Sequence, residues 1–359
     1  MYNKKLRVLI LGSAFSADLH LDGYSRLGGK VEVAAIAGRD QNRVAALAER
    51  YGVRGYSEYA DFEQAIDEVD CDLVDICLPN FLHHAAAIRA LKRRRHIICE
   101  KPLATTVEDA ADIVRTAAEA GKRVYYAEDW MCAPALVKAR ELIAQGGIGA
   151  PVFTRMRECH NGSHSPYAQT IEYCGGGCMI HMGIHPVGFL LAMKNNEWTE
   201  LVALTSGGRE DNLIHRGLEG EDWAGAMMRF RDGAAAIVES NYVSEGGMED
   251  VVDFYGTQGC LHVDLTQSGA LRGYSVPGFE YTVEKAGVTT GWSRPAVDER
   301  QSLGYAAEIA HFVECALDNT DARVGLRGAD GLEALKVVHY IYQSAREGIK
   351  ITNPKFTAK

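Results

Sequence analysis

Apolar residues in the first third of the chain fall into short unbroken runs separated by segments with a helical repeat. Residues 7–11, 31–37, 72–78, 96–99 and 123–127 are apolar at nearly every position and rich in β-branched side chains, the pattern of strands covered on both faces. Between them, 16–27, 42–51, 82–94 and 108–120 have helical spacing, with Val44, Leu47 and Ala48 on one face of the second. Gly121 follows the last of these helices and closes it. Strands alternating with helices across short loops predict a doubly wound parallel sheet.

The pattern changes near Gly149. Longer strands are expected at 152–157, 223–231, 234–243, 251–255 and 260–264, and Arg231-Asp232-Gly233-Ala234 marks a hairpin between the second and third. Consecutive strands on tight turns predict a mostly antiparallel sheet. Helices at 304–317 and 328–346 end the chain. A length of 359 residues points to two domains. The reading is an α/β protein, with a dinucleotide-binding domain of Rossmann type over 1–125 and a substrate-binding α/β domain over 126–359.

Composition removes several classes of function. A formal net charge of −10 gives no field that would gather nucleic acid or an anionic membrane. The basic run Lys92-Arg93-Arg94-Arg95 ends a helix, where it complements the dipole. Nine cysteines are scattered without a CxxC, and Cys174 and Cys178 are the one close pair; this reads as reduced thiols in a cytoplasmic protein. The run Leu6–Leu11 after Lys4 and Lys5 is too short to cross a bilayer.

The candidate chemistry sits at the ends of the first-domain strands. Gly12-Ser13-Ala14-Phe15-Ser16-Ala17 follows the first strand. It has the first and third small residues of the G-x-G-x-x-G/A turn that lets a pyrophosphate approach a helix N-terminus, with Ala14 in the second place. An ordinary strand-to-helix turn reads the same in isolation, and its place after the first strand favours the nucleotide. Gly38-Arg39-Asp40 ends the second strand: Arg39 suits the 2′-phosphate of NADP, and Asp40 keeps NAD open. Pro79-Asn80 with His83 follows the third strand and Cys99-Glu100-Lys101-Pro102 the fourth, both at carboxyl ends where open α/β sheets bind ligands. Lys101 alone would read as a surface lysine; the following proline makes a shaped turn.

In the second domain, Gly175-Gly176-Gly177 opens a helix on which His181 and His185 are four apart and share a face. Upstream lie Glu158, His160 and His164. These five side chains could converge on one cleft, either hydrogen bonding sugar hydroxyls or holding a divalent metal; the first reading has more weight, and no metal is assigned. Trp130, Tyr126 and Cys178 read as packing residues, His20 as structural and His84 as solvated.

Taken together, the Gly12 turn, Pro79-Asn80 with His83, Glu100-Lys101-Pro102, the triple glycine leading to His185, and the tail from Gly328-Ala329-Asp330-Gly331 to Gly348 resemble the glucose-fructose oxidoreductase, inositol dehydrogenase and rhizopine catabolism (Gfo/Idh/MocA) family over nearly the whole chain. The resemblance implies a Rossmann domain and a second domain with a large open sheet, often an oligomer interface, so a homo-oligomer is expected. It implies NAD or NADP as cofactor and hydride transfer to or from a hydroxyl of a sugar, polyol or sugar derivative. Gly12, Ser13, Ala14, Phe15, Arg39, Pro79, Asn80, His83, Glu100 and Lys101 would line the cofactor. Glu158, His160, His164 and His181 would bind the carbohydrate. In the family the lysine matching Lys101 acts with an Asp and a His. His185 matches that His, whereas His181 occupies the Asp position. A redox-assisted glycosidase or lyase with retained cofactor, and a non-catalytic sensor, are the alternatives the same fold supports.

Overall fold

Five short strands make the sheet that carries the first set of motifs: β1 (Leu6–Leu11), β2 (Val31–Ala37), β3 (Leu73–Ile76), β4 (His96–Cys99) and β5 (Val124–Tyr126). All pairings are parallel, in the order β2-β1-β3-β4-β5. The protein is described by a computed structural model over residues 5–53, 60–163, 165–266, 271, 273–278, 290–293 and 298–356. Every residue of β3 and β4 is buried, which is why those runs are apolar without alternation. The strand order reverses direction between β1 and β3, so a topological switch point lies at their carboxyl ends, where Gly12 and Cys77 emerge.

The connecting helices begin and end where local chemistry dictates. Asp40, Asp61 and Thr106 cap the helices Gln41–Tyr51, Phe62–Glu68 and Val107–Ala120 with side-chain oxygens. Gly121 closes the last of these in the left-handed conformation, φ 63°.

A linear cut after residue 125 does not describe the division of the chain. One compact unit comprises Met1–Asp129 with Gly304–Leu335, the other Trp130–Leu303 with Lys336–Lys359. The C-terminal helix Tyr305–Asp318 returns to the first unit because Gly23, on the helix Phe15–Ser25, has no side chain where Ile309 packs; a Cβ there would lie 2.9 Å from that of Ile309. Phe312 stacks on Tyr125 of β5, ring centroids 5.5 Å apart.

The second unit holds a seven-stranded sheet of β6 (Pro151–Cys159), β7 (Trp198–Thr205), β8 (Trp223–Phe230), β9 (Ala235–Asn241), β10 (Glu249–Gly256) and β11 (Cys260–Asp264), with β12 (Gly273–Ser275) and β13 (Gly291–Ser293) paired separately and β14 (Ile351–Thr352) on the far edge. Its order is β11-β10-β6-β9-β8-β7-β14, antiparallel except for β6 with β9. The hairpin at Asp232-Gly233 joins β8 and β9, with Gly233 at φ 86°. Strand β7 and the helix Pro134–Ala144 were not predicted. Only Trp198, Leu201 and Ala203 of β7 face inward, a spacing that breaks simple alternation.

One face of this sheet is covered by the apolar helix Ile184–Met193, whose Phe189 meets Phe254 of β10. The segment Ile171–Met193 is long and apolar enough to cross a bilayer by composition, yet 83% of its most apolar window is buried inside the unit. It is a core helix.

Candidate active site

The glycine turn of the first unit is built around one close approach. Gly12 lies at φ 117°, and a Cβ on it would fall 2.2 Å from the carbonyl oxygen of Cys77. Its N–H donates to the Ala37 carbonyl at 2.7 Å. Only glycine meets both conditions. Ala14 is different: it is extended (φ −91°, ψ −163°), so its backbone needs no glycine. No side chain caps the helix Phe15–Ser25 that starts there, so its first-turn N–H groups are left for solvent or an anion. Phe15 is exposed. Ser13 lies beside Gly38, where a Cβ would meet its Oγ at 3.0 Å; the glycine turn and the end of β2 thus adjoin. Arg39 is exposed there, whereas Asp40 caps the next helix through Arg43 N–H and pairs with the Arg43 side chain. Asp40 therefore has a structural role as a helix cap.

Two loops at the carboxyl ends of β3 and β4 are clamped together by His83. Its Nδ1 lies 2.8 Å from the Pro102 carbonyl and its Nε2 2.8 Å from the Leu78 carbonyl. The ring is buried, and burial first of all holds its pKa below the ordinary value. A neutral ring donates to one of these carbonyls only. His83 was expected to line the cofactor; both of its ring nitrogens are engaged by the two loops. Pro79 and Asn80 are half-buried and open the short turn Asn80–Leu82. The Lys101–Pro102 peptide is cis. Lys101 is half-buried, and its N–H donates to Glu100 Oε2 at 3.1 Å. Burial pushes the Glu100 carboxyl up, but hydrogen bonding and charge from His20, with the Lys101 charge, bring it below the ordinary glutamate value.

In the second unit the triple glycine serves packing. A Cβ on Gly177 would lie 2.1 Å from the Glu221 carbonyl oxygen, and one on Gly176 2.4 Å from the Tyr342 hydroxyl. The Glu221 carboxylate accepts from Gly177 N–H (3.0 Å), Met179 N–H (2.8 Å) and the Tyr342 hydroxyl (2.9 Å). The helix does not start as an α-helix. Met179–Gly183 is a π turn, followed by the α-helix Ile184–Met193. Pro186, which has no N–H to continue the ladder, follows directly. His181 lies within the wider turn and His185 at the start of the α-helix, and the two rings meet different partners. His181 Nδ1 is hydrogen-bonded to the Tyr242 hydroxyl. His185 is buried and stacks on Trp130, centroids 6.3 Å apart and planes 13° from parallel.

Tyr242 organises the histidines at the other end. Its ring stacks on His160 at 5.6 Å, and it follows β9, whose Ser240 is in register with Glu158. Burial, first of all, lifts its hydroxyl well above the ordinary tyrosine pKa, so the O–H stays protonated and needs an acceptor. His181 Nδ1 is that acceptor. The proton of a neutral His181 is then on Nε2, which makes that nitrogen a donor. Glu158 and His160 are both buried. Among the described residues they do not form a compact ligand set with His181. His164 lies outside the described residues.

Residues 6–128 match the profile of an oxidoreductase family with an NAD-binding Rossmann fold, and residues 136–262 match the GFO/IDH/MocA C-terminal domain. The chain belongs to the Gfo/Idh/MocA oxidoreductase family. It is 24% identical to D-apiose dehydrogenase of Paraburkholderia graminis, over 96% of this chain and 89% of that one. It is 29% identical to 1,5-anhydro-D-fructose reductase of Ensifer adhaerens, over 70% of this chain and 74% of the other. The solved structure of GenD2 from gentamicin A biosynthesis in complex with NAD superposes with a TM-score of 0.88 at 22% identity, covering 98% of this chain and 97% of that one.

As a Gfo/Idh/MocA member the chain is a nicotinamide-dependent oxidoreductase with the expected α/β architecture in both units. Four residues of functional interest escaped the sequence reading. Tyr242, Glu221 and Tyr342 are distant in sequence from the histidines and glycines they hold. His20 was taken as structural, and its partners Asp75 and Glu100 are likewise distant in sequence.

Proposed function

We propose that this protein moves a hydride between a nicotinamide dinucleotide and a hydroxyl-bearing carbon of a sugar, polyol or sugar derivative. The observation that carries the reading is the Glu100-Lys101-Pro102 turn, held at the carboxyl end of β4 by His83 and Glu100 in a Gfo/Idh/MocA chain. Relatives named for D-apiose and 1,5-anhydro-D-fructose support a carbohydrate substrate.

The cofactor fits the residues present: Gly12 holds a tight turn at φ 117° against the Cys77 carbonyl, and the uncapped helix after it offers N–H groups to a pyrophosphate. Ser13, Ala14, Phe15, Arg39, Pro79 and Asn80 complete the lining. The bound dinucleotide would supply the hydride acceptor or donor. Arg39 at the end of β2, with Asp40 engaged as a helix cap, supports a preference for NADP.

Lys101 donates to the reacting oxygen and stabilises the charge that develops as its proton leaves. His185 takes that proton, a task suited to an imidazole, and the Trp130 ring fixes its orientation. His181, a donor at Nε2, holds a second hydroxyl, with Glu158 and His160 as further ligands of the sugar. Val202 and Met227 face each other on the outer side of the sheet and are 39% and 57% exposed, which supports a homo-oligomer through that face. The nine free cysteines, eight of them buried, support a cytoplasmic setting.

The test is a titration of purified protein with NADPH and NADH, followed by Trp fluorescence, and then a screen of aldoses, ketoses and cyclitols for change in nicotinamide absorbance. Binding of either dinucleotide with turnover of a carbohydrate is expected. Absence of binding by a protein free of retained cofactor would overturn the proposal.

A further inference from the structure

Asp75 lies in the middle of β3, between Ile10 of β1 and Ile98 of β4, and is fully buried. A carboxylate in such a place must be compensated. His20, from the helix after the glycine turn, puts Nδ1 at 3.0 and 2.9 Å from the two Asp75 oxygens, and Tyr24, one turn later, donates its hydroxyl to Asp75 Oδ2 at 2.8 Å. The other ring nitrogen of His20, Nε2, is 3.2 Å from Glu100 Oε1. The second Glu100 oxygen accepts the Lys101 N–H. Close polar contacts thus run from Asp75 through His20 and Glu100 to the backbone of Lys101 inside one unit, the Nε2–Oε1 approach being an ion-pair contact without the alignment of a hydrogen bond.

A neutral imidazole has one N–H and one lone pair. Here both nitrogens face carboxylates, and a lone pair turned toward either would be repelled. Three further elements face the ring: the Cys77 thiol after β3, 3.4 Å from Nδ1; the Tyr305 ring, centroids 6.2 Å apart; and Glu308 on that same returning helix. None of these supplies a competing positive charge.

We infer that His20 is a permanently protonated positioning residue, which holds Glu100, and through it the backbone of Lys101, in the arrangement the hydride-transfer reaction uses. The positioning role rests on the proposed function; the protonation state does not. The electrostatics agree: burial alone would push the imidazole down, but Asp75 and Cys77 carry it well above its ordinary value, while His20 helps bring Glu100 below its own.

The experiment uses the full chain, labelled with ¹⁵N in its histidine rings, with His20→Gln to assign the signal. One ring with both nitrogens protonated should persist well past the ordinary imidazole range near 6.5. If the His20 ring shows the neutral tautomer pattern at pH 7.5, the inference fails, whatever the enzyme does. For positioning, Glu100→Gln keeps an acceptor for Lys101 N–H but removes the charge. In this variant the His20 signal should titrate at lower pH, and kcat should fall roughly tenfold to hundredfold. His20→Gln and Glu100→Gln combined should cost little more than either alone. Additive losses would reduce the chain to an ion pair of the core and overturn the positioning role. Should His20→Gln not fold, the wild-type and Glu100→Gln spectra still decide the protonation state.

Discussion

The two units prepare their ligand-facing ends in opposite ways. The first uses backbone: a glycine at positive φ, an uncapped helix and two loops tied by His83, with charged side chains buried behind them. The second uses side chains in an aromatic setting, His160 and His181 on Tyr242 and His185 on Trp130, with its glycines occupied by Glu221 and Tyr342. A backbone site must be written as glycines and prolines in one short stretch. A side-chain site needs partners that meet only after folding.

The largest expected effect lies where a side chain of the backbone-built unit does chemistry. Lys101→Met should lower kcat by about 10²–10³, the usual loss for one charge-stabilising donor, and leave the cofactor Kd unchanged in a fluorescence titration. Unchanged turnover would remove Lys101 from the mechanism. The glycines come next and separate the units directly. Gly12→Ala and Gly177→Ala each force a methyl against a backbone carbonyl, which costs about 1–3 kcal/mol. Gly12→Ala should weaken dinucleotide binding. Gly177→Ala should instead lower the stability of the second unit, read by calorimetry, with dinucleotide binding intact. The reverse assignment would break the comparison.

The same contrast explains what could be read from the chain. The five parallel strands were visible because burial on both faces leaves unbroken apolar runs, and the turn at Gly12 and the Glu100-Lys101-Pro102 stretch were visible because they are local. Asp40 and His83 stood at the right places for ligands, yet a cap and a loop clamp use the same residue types. The π turn was hidden because His181 and His185 have ordinary helical spacing, and only Pro186 signals the break. The return of the Tyr305–Asp318 helix to the first unit depends on Gly23 meeting Ile309, a contact no local pattern records.

Buried charge also gives the first unit a pH signature. His20 has a raised pKa in the fold, so its contribution is complete below the ordinary imidazole range and is lost as pH rises through the raised value. Burial raises Glu128 and Glu308 as well, so ionising them on the alkaline side adds to the loss. Glu100 is lowered, so its contribution is complete above the ordinary glutamate range and is lost as pH falls through the lowered value. Melting of the first unit should show both limbs, with roughly 1.4 kcal/mol for each tenfold change in proton affinity. His20→Gln should flatten the alkaline limb, and a limb that does not move would show that other groups set it.

Arg39→Asp offers a finer test of the backbone site, where the end of β2 contributes its one exposed cation beside the glycine turn. It should shift the ratio of NADPH to NADH affinity toward NADH by about tenfold, or 1.4 kcal/mol. An unchanged ratio would take Arg39 out of cofactor choice.

The smallest effect should come from Tyr242→Phe, and it bears most directly on how the side-chain site works. The variant keeps the ring on which His160 stacks and removes only the O–H that donates to His181 Nδ1. Without that donor the tautomer is less tightly held, and the population with a proton on Nε2 falls. A lost hydrogen bond of this kind costs about 0.5–1.5 kcal/mol, which appears as a severalfold rise in KM for the carbohydrate with kcat nearly constant, because holding a hydroxyl is needed equally before and during the reaction. In ¹⁵N-histidine spectra the His181 pair should change from one fixed tautomer to an average of two. If kcat falls instead and KM holds, His181 takes part in moving the proton, and the division of labour between a donating His181 and a basic His185 would have to be reversed.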